Sequence, residues 1–120
     1  MYEQDLFNEP TWVPPIELPD LSKEKLIAID VETRDPRLLT HGPGWTRKDG
    51  YLIGIAVACS KWYGYLPIAH EGGANLSKSI VIGWLKDQLR HGMSVVFHNA
   101  QYDIGWLASE GIEIPGTILD

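Results

Sequence analysis

Apolar and polar positions alternate along the chain in a way that predicts five strands and two helices. The run Leu26-Ile27-Ala28-Ile29 leads into Asp30-Val31-Glu32-Thr33, giving a first strand over residues 26–33. Residues 51–59 read as a second strand and residues 62–69 as a third, joined by a turn at Lys61, so the three form an antiparallel meander. Glu71-Gly72-Gly73 closes that section. Ile80, Val81, Trp84, Leu85 and Leu89 then recur at helical spacing, behind a cap at Asn75 or Ser77 and ahead of a stop near Arg90, at His91-Gly92. Residues 94–98 read as a fourth strand, parallel to its neighbour because a crossover helix leads into it. Gln101 to Glu110 reads as a short helix stopped by Gly111, and Gly116 to Leu119 begins a fifth strand that reaches Asp120.

Two segments lack a period. Residues 1–25, with Pro10, Pro14, Pro15 and Pro19, read as an extended lead-in to a domain over residues 26–120. Residues 34–50, with Pro36, Gly42, Pro43 and Gly44, read as a long loop without internal structure, a kind that usually carries function. Three strands, helix, strand, helix, strand is the order of the ribonuclease H-like α/β fold, a mixed sheet with flanking helices.

At 120 residues the chain has room for one domain with a sizeable core, and its 44% hydrophobic and 22% charged residues argue against wholesale disorder. No apolar run approaches the length of a membrane span and the N-terminus lacks a signal-peptide pattern, so a cytoplasmic protein without a membrane partner is expected. The single cysteine, Cys59, lies in an apolar run and reads as a small buried hydrophobe. A net charge of −6 argues against a protein that coats nucleic acid. It leaves open a site in which carboxylates hold cations and the cations hold phosphate.

The chemistry concentrates at two places. Asp30 and Glu32, two apart on one strand, point to the same face, and such a pair of negative charges is costly unless hard cations such as Mg²⁺ or Mn²⁺ neutralise it. Asp103 falls in the first turn of the helix after the fourth strand, where ligand sites of open α/β sheets lie. With strands one and four adjacent, the three carboxylates would share one cleft. Arg34, Arg37, Arg47 and Lys48 form the one basic cluster, either a solvated loop or a phosphate contact beside that cleft. Trp45 would stack on a base or pack over the sheet edge, and Tyr102, Trp106 and Leu107 read first as core. His98 could contact a phosphate or serve structurally, whereas His41, His70 and His91 show no ligand spacing and read as exposed or capping residues.

Asp30-Val31-Glu32-Thr33 resembles the first motif (Asp-x-Glu) of the DnaQ-like, or DEDD, 3′-5′ exonucleases. His98-Asn99-Ala100-Gln101-Tyr102-Asp103 resembles the second (Asn-x-x-x-Asp). The wider context, including His41-Gly42-Pro43-Gly44-Trp45 and Asp49-Gly50-Tyr51-Leu52-Ile53-Gly54, is similar to the proofreading domain of bacteriophage-type family A DNA polymerases. The resemblance implies Asp30, Glu32 and Asp103 as catalytic metal ligands for two Mg²⁺ or Mn²⁺ ions. It implies Thr33, His98, Asn99 and Tyr102 as substrate contacts, a single-stranded DNA 3′ end as substrate, and a polymerase domain in the same natural chain. The family's third motif, Tyr or His followed by Asp, has no match here, so the N-terminal portion of such a domain is expected. Asp120 matches the acidic residue that ends the fifth strand in relatives. Leu38 or Leu39 would replace the family's wedging leucine, near whose position Pro36 sits. Two other functions are carried beside this one: a catalytically silent module of the same fold, acting as scaffold or nucleic-acid binder, and an RNA-processing exonuclease.

Overall fold

The computed structural model describes residues 17–120, so residues 1–16 of the expected lead-in lie outside the described residues. Its strands are β1 (Leu26–Arg34), β2 (Tyr51–Ala58), β3 (Tyr63–Pro67), β4 (Ser94–Val96) and β5 (Ile118–Leu119). Its helices are α1 (Leu38–His41), α2 (Lys78–Leu89) and α3 (Ala100–Ser109). One five-stranded sheet is ordered β3-β2-β1-β4-β5, antiparallel across β1–β2 and β2–β3 and parallel across β1–β4 and β4–β5. This is the mixed, ribonuclease H-like arrangement that the element order predicts.

Alternation along the strands gives the sheet two unlike faces. Ile27 and Ile29 of β1, Ile55 and Val57 of β2 and Val95 of β4 are buried on one face, where Val81, Leu85 and Leu89 of α2 and Trp106 and Leu107 of α3 complete a single core. The opposite face presents Ala28 and Asp30, paired with Ala58 and Ala56, and carries no helix among the described residues. Residues 17–25 belong to the packed body. Leu21 is buried, its amide donates to Gln88 Oε1 at 2.7 Å, and Trp84 Nε1 donates to the Pro19 carbonyl at 2.8 Å.

Local details depart from the sequence reading in physically clear ways. Ser77 caps α2, accepting from the Ile80 amide at 3.4 Å, because the other candidate, Asn75, is committed to both the amide and the carbonyl of His70. The segment expected to lack internal structure contains α1 and a 3₁₀ turn, Gly44–Thr46. Side chains make up for its missing period. Asp35 accepts from the Gly44 amide with both carboxylate oxygens at 3.1 Å, and Arg47 donates to the carbonyls of His41, Gly42 and Pro43.

Candidate metal centre

Strand β1 delivers Asp30 and Glu32 to the helix-free face at its carboxyl end. Parallel pairing of β1 with β4 places the start of α3 beside them, and α3 packs against β1. Asp103 lies in the first turn of α3 and is 3% exposed. Its Oδ2 is buried with no hydrogen-bond partner. Burial, and after it the charge of Asp30, push the Asp103 carboxyl up to about 6, with Asp120 adding to the rise and the Val31 amide and His98 opposing it. A buried, unpaired carboxylate oxygen next to a second carboxylate is the signature of a missing positive charge.

Asp30 and Asp103 therefore fit a hard divalent cation. Glu32 is held differently. Its Oε1 accepts from the Tyr65 hydroxyl at 2.6 Å, and Tyr65 Oη lies 2.6 Å from His70 Nε2. Burial first, and the hydrogen bond to Glu32 second, raise the Tyr65 phenol so that it keeps its proton. Among the described residues no three His, Cys, Asp or Glu side chains close on a common point. Two carboxylates are thus brought together, and the third stands on the same face, tied to Tyr65.

Tyr65 reaches Glu32 because of Gly54. The paired positions are Glu32 with Gly54 and Gly54 with Pro67, and a Cβ on Gly54 would collide with the Tyr65 hydroxyl. The β1 register shifts between Glu32 and Thr33, the sort of irregularity that re-aims side chains beside sites.

The expected substrate contacts separate into two groups. His98 and Asn99 are exposed at the junction of β4 and α3, beside Asp30 and Asp103. Asn99 makes no side-chain cap; the amide of Ala100 donates instead to Asp120 Oδ1 at 3.2 Å. Thr33 and Tyr102 bond each other at 2.8 Å, and Tyr102 donates to Asp35 Oδ2 at 2.8 Å. A phenol has one proton, so Thr33 is the donor to Tyr102. The pair joins β1, α3 and the loop after β1.

That loop is anchored a second time by Trp45. Its half-buried indole lies where a Gly105 side chain would be, so Trp45 packs on α3. Of the basic cluster, Arg37 Nε and Arg47 Nη2 both approach Asp49 Oδ2, at 3.0 and 3.5 Å. Leu39 is 97% exposed and Leu38 partly so. Trp106 and Leu107 are buried core, and Cys59 is half-buried with a free thiol.

The helix-free face holds a shallow trough of about 520 Å³, floored by Ala28, Ala56, Ala58 and Val96, walled by Tyr63 and Tyr65, and reaching Asp30 and His98. An apolar floor running to the Asp30 carboxylate suits a ligand with an apolar part and a cation-bound anionic part. Sequence reasoning missed Tyr65, His70 and Asp35. Each acts through partners far along the chain, and a period-two strand pattern cannot report such contacts.

The geometry is that of a ribonuclease H-like sheet with Asp30 and Glu32 on its central strand and Asp103 in the helix that follows β4. In sequence, the chain is similar to a DNA-directed DNA polymerase of Pseudomonas phage M6, with 43% identity over 107 residues. That similarity takes in 85% of this chain and 16% of the polymerase, so the chain spans a small part of the relative's length. No protein-family model matches the chain. Among the described residues, no helix is long and apolar enough to cross a membrane.

Proposed function

We propose that this chain carries the metal-holding part of a 3′-5′ exonuclease site that acts on DNA 3′ ends within a DNA polymerase. The observation that carries the reading is the buried, unpaired Asp103 oxygen beside Asp30 at the carboxyl ends of β1 and β4. Asp30 and Asp103 would hold a divalent ion, with Glu32 completing the set from the same sheet face. Two such ions supply charge neutralisation at the phosphate and a water activated for attack. The chain's own part is to hold the carboxylates in place, to offer His98 and Asn99 at the rim for the terminal nucleotide, and to provide the apolar trough against which a base can lie. The similarity to a phage DNA polymerase supports DNA as the substrate.

A second reading, a silent module of the same fold, is favoured by the commitment of Glu32 to Tyr65 and by the lack of three convergent ligands among the described residues. The purified chain, supplied with Mn²⁺ or Mg²⁺, is tested on 5′-labelled single-stranded DNA and on RNA of the same sequence, beside Asp30→Ala. A DNA ladder shortening from the 3′ end in the parent alone is the expected result. Faster loss of RNA than of DNA would reassign the substrate, and no cleavage of either would select the silent module.

A further inference from the structure

We infer that Tyr65 and His70 form a positioning relay that fixes the Glu32 side chain, through one carboxylate oxygen, on the sheet face from which it would join Asp30 and Asp103 on a divalent cation. This inference rests on the metal-site reading above. Glu32 needs such a device, because its side chain is 56% exposed and a free glutamate of that kind samples many rotamers. The Tyr65 hydroxyl takes one carboxylate oxygen, Oε1, at 2.6 Å.

Proton counting orients the relay. Glu32 as a carboxylate only accepts, so the single phenolic proton goes to it. The 2.6 Å contact between Tyr65 Oη and His70 Nε2 must then be donated by the imidazole, which fixes the proton on Nε2. His70 is steadied in turn. Its ring meets that of Tyr65 edge-on at 83° with centroids 5.5 Å apart, and Asn75 clasps its backbone through bonds of 2.8 and 2.9 Å. His70 Nε2 also lies 3.8 Å from Glu32 Oε1, so both members face the same oxygen. Gly54 leaves the gap through which the phenol passes. Every part sits on β2, β3 or the turn after β3, none of which supplies a carboxylate ligand. Hydrogen-bonded partners that orient a metal ligand are worth 10–100-fold in affinity.

The test is Mn²⁺ binding by the full chain, followed by calorimetry, for the parent, Asp30→Ala, Tyr65→Phe, His70→Ala and His70→Gln. Melting temperatures in EDTA are recorded alongside. Tyr65→Phe is expected to weaken Mn²⁺ binding by about 10–100-fold while its EDTA melting temperature stays near the parent's. His70→Ala is expected to weaken binding less, and His70→Gln, which keeps an N–H donor, to recover most of that loss. Adding His70→Ala to Tyr65→Phe should then cost less than His70→Ala does in the parent, because the closer of the two imidazole contacts is to the hydroxyl. Parent-like binding by Tyr65→Phe, with Asp30→Ala still defective, overturns the relay and leaves the metal site standing. Failure of the parent itself to bind Mn²⁺ overturns both.

Discussion

Asp103 shows how one residue sets the pH response of the apo protein. Its folded-state carboxyl titrates at about 6 against an ordinary 3.8, with burial as the main cause. Between those values the folded chain keeps a proton that the unfolded chain has lost. Its contribution to stability is therefore complete below pH 4 and disappears as pH rises through 6. In EDTA, urea denaturation of the parent should show stability falling across this window. Asp103→Asn should remove the slope and, at pH 7.5, gain about 1–3 kcal/mol, the scale of one unpaired buried polar group. Identical slopes in the two proteins would place the titration elsewhere. Bound Mn²⁺ should cancel the effect, since the cation takes over the role of the missing proton.

Among the elements, the segment between β1 and β2 behaves least like its sequence pattern. Asp35, Tyr102 and Trp45 tie it to α3 without any apolar period of its own. Gly105→Ala is the sharpest probe of this arrangement. Overpacking against the indole costs about 1–3 kcal/mol, whereas an interior alanine gains about 1 kcal/mol in helix propensity. A net loss of about 1 kcal/mol is expected, together with faster hydrogen exchange over residues 36–49. Unchanged exchange would mean that Trp45 does not anchor the segment.

The elements themselves were legible wherever a period ran long enough. The stripe of α2 and the runs of β1 and β2 come within a residue or two of their observed ends. Asp30 and Asp103 could be read as partners because parallel β1–β4 pairing follows from the crossover helix. What stayed hidden depends on contacts between distant positions. Tyr65 is one of three aromatics close together, with Trp62 and Tyr63, and the sequence marks none of them out, while His70 read as an exposed or capping residue. Nothing within the β3 segment announces that Gly54, eleven residues earlier, leaves room for that phenol.

For the molecule as a whole, the strand order separates the two halves of the carboxylate pair in time as well as in sequence. Asp30 belongs to the antiparallel unit β1-β2-β3, closed over residues 35–50 and then by a short turn, while Asp103 arrives with β4 and α3 after a longer loop closure. Local hairpin contacts form before non-local parallel pairing. The proposed cation site would then be completed late in assembly, and an ion that needs both halves would find nothing to hold in the transition state. Mn²⁺ should slow unfolding in stopped-flow experiments and leave the refolding rate unchanged, with neither effect in Asp30→Ala. Faster refolding with Mn²⁺ would mean that β4 has already docked at the barrier. On this topology a bound metal would act as a latch: it would play no part in shaping the fold and would set how long the finished fold stays shut.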